Sequence, residues 1–182
     1  MRAQHLLAAI GVLSMASCST AAQFGSSSSI TVPMALVTAT GAGSPVGYIT
    51  LRNGAGGVAL ALHLRGLPAG DHGFHLHGGG SCAPGANPAG EMIAAGGAGS
   101  HLDPANSGHH EGPSGQGHLG DLPVLHVGSN GTASQVLVAP RLRSIDELRG
   151  HALIIHAGGD NYSDTPAPLG GGGVRIACGV VS

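Results

Sequence analysis

Lysine and tryptophan are absent, there are only two Phe and two Tyr, and charged side chains make up 9% of the 182 residues, against roughly a quarter in an average soluble domain. Each shortage excludes something. The seven basic residues, all arginine, face nine acidic ones for a formal net charge of −2, so binding nucleic acid through a basic field is disfavoured. So little charge also argues against long solvent-facing helices. The apolar run Leu6 to Leu13 is too short for a permanent membrane span. The length fits a single domain with appendages.

Met1 and Arg2, then Leu6 to Leu13, then small residues form a secretory leader pattern, so residues 1–22 are expected to be a signal peptide. Cleavage fits two places: after Ala22, or before Cys18, where Met15-Ala16-Ser17-Cys18 resembles a bacterial lipoprotein box in all but its first residue. An exported protein with three cysteines has one left over once a disulfide forms. Cys82 and Cys178 lie in the body of the chain and Cys18 is the leftover. It is either discarded with the leader or becomes a lipidated N-terminus that anchors the protein to a membrane. Residues 23–29, mostly Gly and Ser, are expected to be a flexible arm.

What the chain has in quantity is glycine, 34 residues, and histidine, 12. From residue 30 onward the apolar residues come in short runs rich in Val, Ile, Leu and Thr and bounded by Gly, Pro and Asn, which is a strand signal. The runs lie at about 31–39, 46–53, 57–66, 72–78, 122–128, 132–138, 150–156 and 174–180. Asn53-Gly54 and Asn130-Gly131 are expected hairpin turns, because Asn-Gly accepts positive φ. One helical turn is expected at Ser144 to Leu148, with Ser144 as N-cap and Glu147 three residues on. An all-β sandwich or barrel follows. Two stretches, Gly79 to Asp121 and Ala157 to Gly173, are long, rich in Gly and Pro and without periodicity, the mark of loops that are either functional or disordered. Two staples are at hand for them: a disulfide between Cys82 and Cys178, and a metal.

His75-Leu76-His77 lies in a strand-like run, where a period of two turns both imidazoles to one face. His101, His110, His118 and Asp121 follow inside the first long loop. Three imidazoles and one carboxylate can close a tetrahedral shell around Zn²⁺, and such a site would order the loop as it binds. His156 ends a buried-looking run and opens the second loop. His75, His77, His156 and one shared histidine suit Cu²⁺, which favours nitrogen ligation with room for a further ligand.

Gly73-Phe74-His75-Leu76-His77, Gly99-Ser100-His101-Leu102-Asp103-Pro104, His110-Glu111-Gly112-Pro113, Gly117-His118-Leu119-Gly120-Asp121-Leu122-Pro123, His156-Ala157-Gly158-Gly159-Asp160-Asn161 and Arg175-Ile176-Ala177-Cys178-Gly179 resemble, in order and in register, the bacterial periplasmic-type copper/zinc superoxide dismutases. The resemblance covers residues 30–182, expected to be one such domain. It implies an eight-stranded Greek-key flattened barrel, immunoglobulin-like in architecture, with two long functional loops.

It also implies the site. Copper, one per chain, would be bound by His75, His77, His101 and His156. Zinc, one per chain, would be bound by His101, His110, His118 and Asp121, with His101 bridging the two as imidazolate. Cys82 and Cys178 match the family's disulfide, Asp160 the carboxylate that links one ligand of each metal, and Arg175 the guanidinium beside the open copper position. The implied activity is conversion of two superoxide anions and two protons to O2 and H2O2 by alternating Cu²⁺ and Cu⁺, with His101 and Arg175 as catalytic residues and zinc structural. The implied location is periplasmic or otherwise extracytoplasmic, and monomer and homodimer both stay open. The alternative is a non-catalytic extracytoplasmic copper/zinc-binding protein on the same fold.

Among the other histidines, His72 matches a family residue that braces the copper strand, and His63, His126 and His151 read as barrel-wall positions. His109 stands where related sequences carry Lys just before the zinc histidine, so steering by a permanent cation is expected to be weaker here.

Overall fold

The computed structural model describes residues 28–87 and 89–182. The expected signal peptide, His5, Cys18 and most of the arm lie outside the described residues. The last residue expected in the arm, Ser29, is already paired with Arg52.

Among the described residues there are twelve strands: β1 (Ser29–Thr38), β2 (Gly41–Gly54), β3 (Gly57–Arg65), β4 (Gly70–His72), β5 (Phe74–His77), β6 (Gly85–Ala86), β7 (Met92–Ile93), β8 (Leu125–Val127), β9 (Thr132–Ala133), β10 (Val136–Ala139), β11 (Ala152–His156) and β12 (Arg175–Val180). Eight of them form one antiparallel sheet in the order β10-β3-β2-β1-β12-β11-β5, with β9 also on β3. The sheet curls into the flattened Greek-key barrel. The chain leaves β3 near one end of the sheet and enters β5 at the other, and the last strand, β12, slots in beside the first. No helix among the described residues is long and apolar enough to cross a membrane.

Strand alternation builds the core. Val32 and Met34 of β1, Ile49 and Leu51 of β2, and Val58, Leu60 and Leu62 of β3 all point inward and are buried. Each such side chain contributes roughly 1.5–3 kcal/mol relative to exposure. β5 and β11 differ, because every residue in both is buried. Their inward residues Phe74, Leu76, Leu153 and Ile155 join the main core. On the outer face Ala152 and Ile154 pack with Ala95, Ala98 and Cys178, so the first long loop folds over the outside of these strands.

Several boundaries differ from the expected ones. The run at 72–78 breaks at Gly73, whose N–H donates to Gly158 O at 2.8 Å and whose carbonyl accepts from His156 N at 2.8 Å. β4 therefore pairs with β8 outside the main sheet and only β5 continues in it. The run at 132–138 splits into β9 and β10, both on β3. Asn53-Gly54 is not the hairpin tip: both residues are paired in the ladder and Ala55-Gly56 makes the turn. Asn53 is used otherwise, its Oδ1 accepting from Ile145 N at 2.7 Å. Asn130-Gly131 does turn the chain, with Gly131 at φ 76°. The 3-10 turn Ile145–Leu148 forms with Ser144 Oγ accepting from Asp146 N, while Glu147 reaches Arg143 N, one residue beyond a capping box. The first loop is not structureless, since β6 and β7 form a small hairpin within it.

Candidate metal centre

β5 stands at the end of the sheet, and the first loop docks along its free edge. Leu102 N donates to Leu76 O at 2.8 Å, Leu76 N to Gly120 O at 2.9 Å, and Gly78 N to Ser100 O at 2.9 Å. A Cβ on Gly120 would lie 2.0 Å from Leu76 O, so only glycine permits this approach. His101 is thereby set beside His77, and Asp121 beside His75. On the other side of β5, register pairs His75 with Ile154 and brings in β11, whose last residue is His156.

The structure brings the loop and strand histidines together. One donor group joins His75, His77, His101 and His156, and a second joins His101, His110, His118 and Asp121, with the ligand atoms of each group within 4.8 Å of one another. Outward ring nitrogens are fixed by hydrogen bonds. His77 Nδ1 donates to Gly99 O at 2.9 Å, His156 Nδ1 to Gly173 O at 3.0 Å, and His75 Nε2 to Asp160 Oδ2 at 2.8 Å. A neutral imidazole that donates from one nitrogen presents a lone pair on the other, so these rings aim His75 Nδ1, His77 Nε2 and His156 Nε2 inward.

In the second group Asp121 Oδ1 lies 3.0 Å from His101 Nδ1, 2.9 Å from His110 Nδ1 and 3.3 Å from His118 Nδ1. Only the His101 contact has hydrogen-bond geometry; the nitrogens of His110 and His118 are close to the carboxylate but aimed past it. His75 Nδ1, His101 Nε2, His110 Nδ1 and His118 Nδ1 are buried with no hydrogen-bond partner. Unpaired buried polar atoms are costly. Here they point together, and four nitrogens in one group and three nitrogens with one carboxylate oxygen in the other fit Cu²⁺ and Zn²⁺ respectively.

Asp160 spans the two groups, accepting from His75 Nε2 through Oδ2 and from His110 Nε2 through Oδ1, each at 2.8 Å. Arg175 pairs in register with His156, and its guanidinium donates to Ala95 O at 2.6 Å and Gly99 O at 2.5 Å. Gly99 O thus holds both Arg175 and His77. Cys82 and Cys178 form a disulfide.

His72 braces the strand as expected, with Nδ1 2.7 Å from His156 O and Nε2 2.9 Å from Pro68 O. His63 is exposed and stacks on Tyr48 at 4.6 Å. His126 is exposed and pairs with Asp71 at 2.8 Å. His151 precedes β11 and donates to Gly78 O. His109 is exposed, and its carbonyl accepts from His118 N.

Two supports escaped the sequence reading. Asp164 accepts from His110 N at 2.9 Å and from Leu169 N at 3.0 Å, and the hydroxyl of Tyr162 accepts from Val124 N at 2.9 Å. Both lie in the aperiodic second loop, where only nearness to Asp160 marks them out.

Burial holds the imidazoles of His75 and His77 below their ordinary range, and takes His101 down to about 4 and His156 to about 3. Burial also pulls on His110, but Asp121 and Asp160 outweigh it and lift that ring to about 9. Both carboxylates, despite burial, are held well below the usual range by their histidine partners.

These shifts set the pH response of metal-stripped protein. Below about pH 6.5 the unfolded chain binds more protons than the folded one at His101, His156 and the two carboxylates, so stability falls with acid. His110 acts oppositely: its contribution is complete below about 6.5 and is lost as pH rises through about 9. Calorimetry of the metal-stripped protein is expected to give a melting temperature that peaks near neutrality and declines on both sides; an unchanged value between pH 7 and 4 would contradict it.

The sequence model of the family described as Copper/zinc superoxide dismutase (SODC) matches residues 46–181. Superoxide dismutase [Cu-Zn] 2 of Salmonella typhimurium is 53% identical over 150 residues, covering 82% of this chain and 86% of that one. The Cu/Zn superoxide dismutase from Brucella abortus superposes with a TM-score of 0.83 at 46% identity, covering 85% of this chain and 100% of that one. The monomeric copper, zinc superoxide dismutase from Salmonella enterica gives a TM-score of 0.76 at 54% identity, with 85% and 100% coverage.

Proposed function

The chain belongs to the copper/zinc superoxide dismutase family, and from that premise we propose that copper is held by His75 Nδ1 and by Nε2 of His77, His101 and His156, and zinc by Nδ1 of His101, His110 and His118 with Asp121 Oδ1. The protein is an oxidoreductase that converts two superoxide anions and two protons into O2 and H2O2, with copper and zinc as cofactors. The observation that carries the ligand assignment is the ring of His101, which belongs to both donor groups. Its Nδ1 faces Asp121, and its Nε2 is buried and otherwise unpartnered.

When bound, copper supplies the one-electron couple that superoxide first reduces and then reoxidises, while zinc, without redox chemistry, orders the loop and the shared ring. The chain's own residues do the rest. Arg175, charged and planar, attracts the anion and orients it, and its two carbonyl partners hold the guanidinium in place. His101 holds and releases a proton at Nε2 as the general acid. Asp160 fixes the orientation of one ring in each group through its two oxygens.

The direct test is the dismutation rate of protein loaded with both metals, with metal content measured on the same sample. Full occupancy without turnover would return the chain to the reading of a non-catalytic metal-binding protein. Replacing Arg175 by leucine is expected to lower the rate constant about tenfold or more with metal content kept, and to weaken its dependence on salt. An unchanged rate would remove Arg175 from the machinery.

An extracytoplasmic, periplasmic-type location completes the reading. It is supported by the leader pattern and by the Cys82–Cys178 disulfide, a bond that persists in oxidising compartments. Lipid on Cys18 would tether the protein to a membrane, and the mass of the mature N-terminus reads that directly.

A further inference from the structure

His118 is fastened unlike the other ligands. The outward nitrogens of His75, His77, His110 and His156 are each tied to a carboxylate or a carbonyl, and His101 is paired across to His77 along the edge of β5. The ring of His118 makes no hydrogen bond to any described residue and only comes within 3.3 Å of Asp121. Its position therefore rests on its backbone. His118 N donates to His109 O at 2.9 Å, and the carbonyls of Gly117 and His118 both accept from one nitrogen of Arg141, each at 2.9 Å.

Arg141 comes from the opposite end of the sheet. It follows β10, the terminal strand at one end, whereas the turn it grips is bonded through Gly120 to β5, the terminal strand at the other. Its half-buried side chain is thus a clasp across the two free ends of the barrel. A guanidinium adds no attraction for a metal cation. What it adds is geometry, since a charged donor shared between two adjacent carbonyls restricts the turn that carries His118.

We propose that Arg141 is a positioning residue for the zinc group, setting the backbone of Gly117 and His118 so that the otherwise unsupported His118 ring meets Asp121. The proposal rests on the assignment of zinc to His101, His110, His118 and Asp121, and goes beyond it by naming a residue outside both loops that governs zinc retention.

The test uses full-length mature protein carrying both metals, with Arg141→Gln, Arg141→Lys and, as a charge-matched control at an exposed position at the end of β3, Arg65→Gln. Zinc release to an excess of a chromogenic chelator is timed, copper release is timed in parallel, and Co²⁺ placed in the zinc group reports ligand geometry through its visible spectrum. Loss of an outer partner of a metal ligand typically costs about 10–100-fold in affinity. Arg141→Gln is expected to release zinc about tenfold faster or more, with copper release unchanged and an altered Co²⁺ spectrum. Arg141→Lys, which keeps the charge and donors but not the planar fork, falls between. Arg65→Gln behaves as wild type.

Zinc release at the wild-type rate from Arg141→Gln overturns the proposal, as does equal acceleration of zinc and copper release, which would mean general loosening. Wild-type protein that binds no zinc would instead refute the metal assignment, a failure distinct from that of Arg141.

Discussion

His75→Ala is expected to lose copper and to lower superoxide turnover by more than about a hundredfold, exceeding the roughly 10–100-fold usual for an outer partner because a ligand itself is removed. His75 is fully buried, and its Nδ1 is one of the four buried ring nitrogens left without a hydrogen bond. No neighbour replaces it, because the adjacent imidazoles already spend their outward nitrogens on Gly99 and Gly173. The substitution also frees Asp160 Oδ2 while leaving Oδ1 on His110, so zinc should be retained better than copper. The backbone of β5 stays paired to β11 through four register pairs, which argues that the barrel persists. Metal content and dismutation rate measured on the same samples decide the matter. Wild-type turnover with full copper would sink the ligand assignment, whereas loss of zinc ahead of copper would show that the two groups had been assigned the wrong way round.

The sequence foretold what side chains determine. A period of two in His75-Leu76-His77 predicted two rings on one face, and β5 delivers them beside His101 and His156. His101, His110, His118 and Asp121 stood out as candidates by their types and order, and the structure brings them together. What stayed hidden was set by the backbone. Gly99 O and Gly173 O orient the rings of His77 and His156, yet any residue could supply a carbonyl. The hairpin in the first loop escaped notice because its packing is glycine against glycine: a Cβ on Gly96 would lie 2.2 Å from Gly85 O, an approach that leaves no hydrophobic periodicity to detect. Asn53-Gly54 misled for a related reason. Its turn propensity was overridden by ladder pairing and by the demand of Ile145 N for an acceptor, a tertiary requirement outside any local window.

Removing the disulfide is expected to be the most damaging change to the fold that leaves every ligand in place. Cys82 and Cys178 are separated by 96 residues, and in the chain-entropy model a closure of that length is worth about 4–5 kcal/mol. For a chain of this size each kcal/mol moves the melting temperature by about 2–4 °C, so the double variant Cys82→Ala/Cys178→Ala should melt roughly 8–20 °C lower. Alanine suits the site because the cystine packs among Ala95, Ala98, Ala152 and Ile154, where a serine hydroxyl would add its own burial cost. Activity should fall as well, by a route the ligands do not share. Cys82 ties down the same loop whose Ala95 and Gly99 carbonyls hold the Arg175 guanidinium, and Gly99 O also holds His77. Once the loop end is released, the Arg175 guanidinium should lose its footing before the clustered histidines do. Turnover measured at full metal occupancy should therefore drop in the alanine pair, while zinc release, governed from the other side of the barrel, changes little. A melting temperature within about 3 °C of wild type would mean that the loop is held by its glycine contacts and bound metals, with the covalent link redundant.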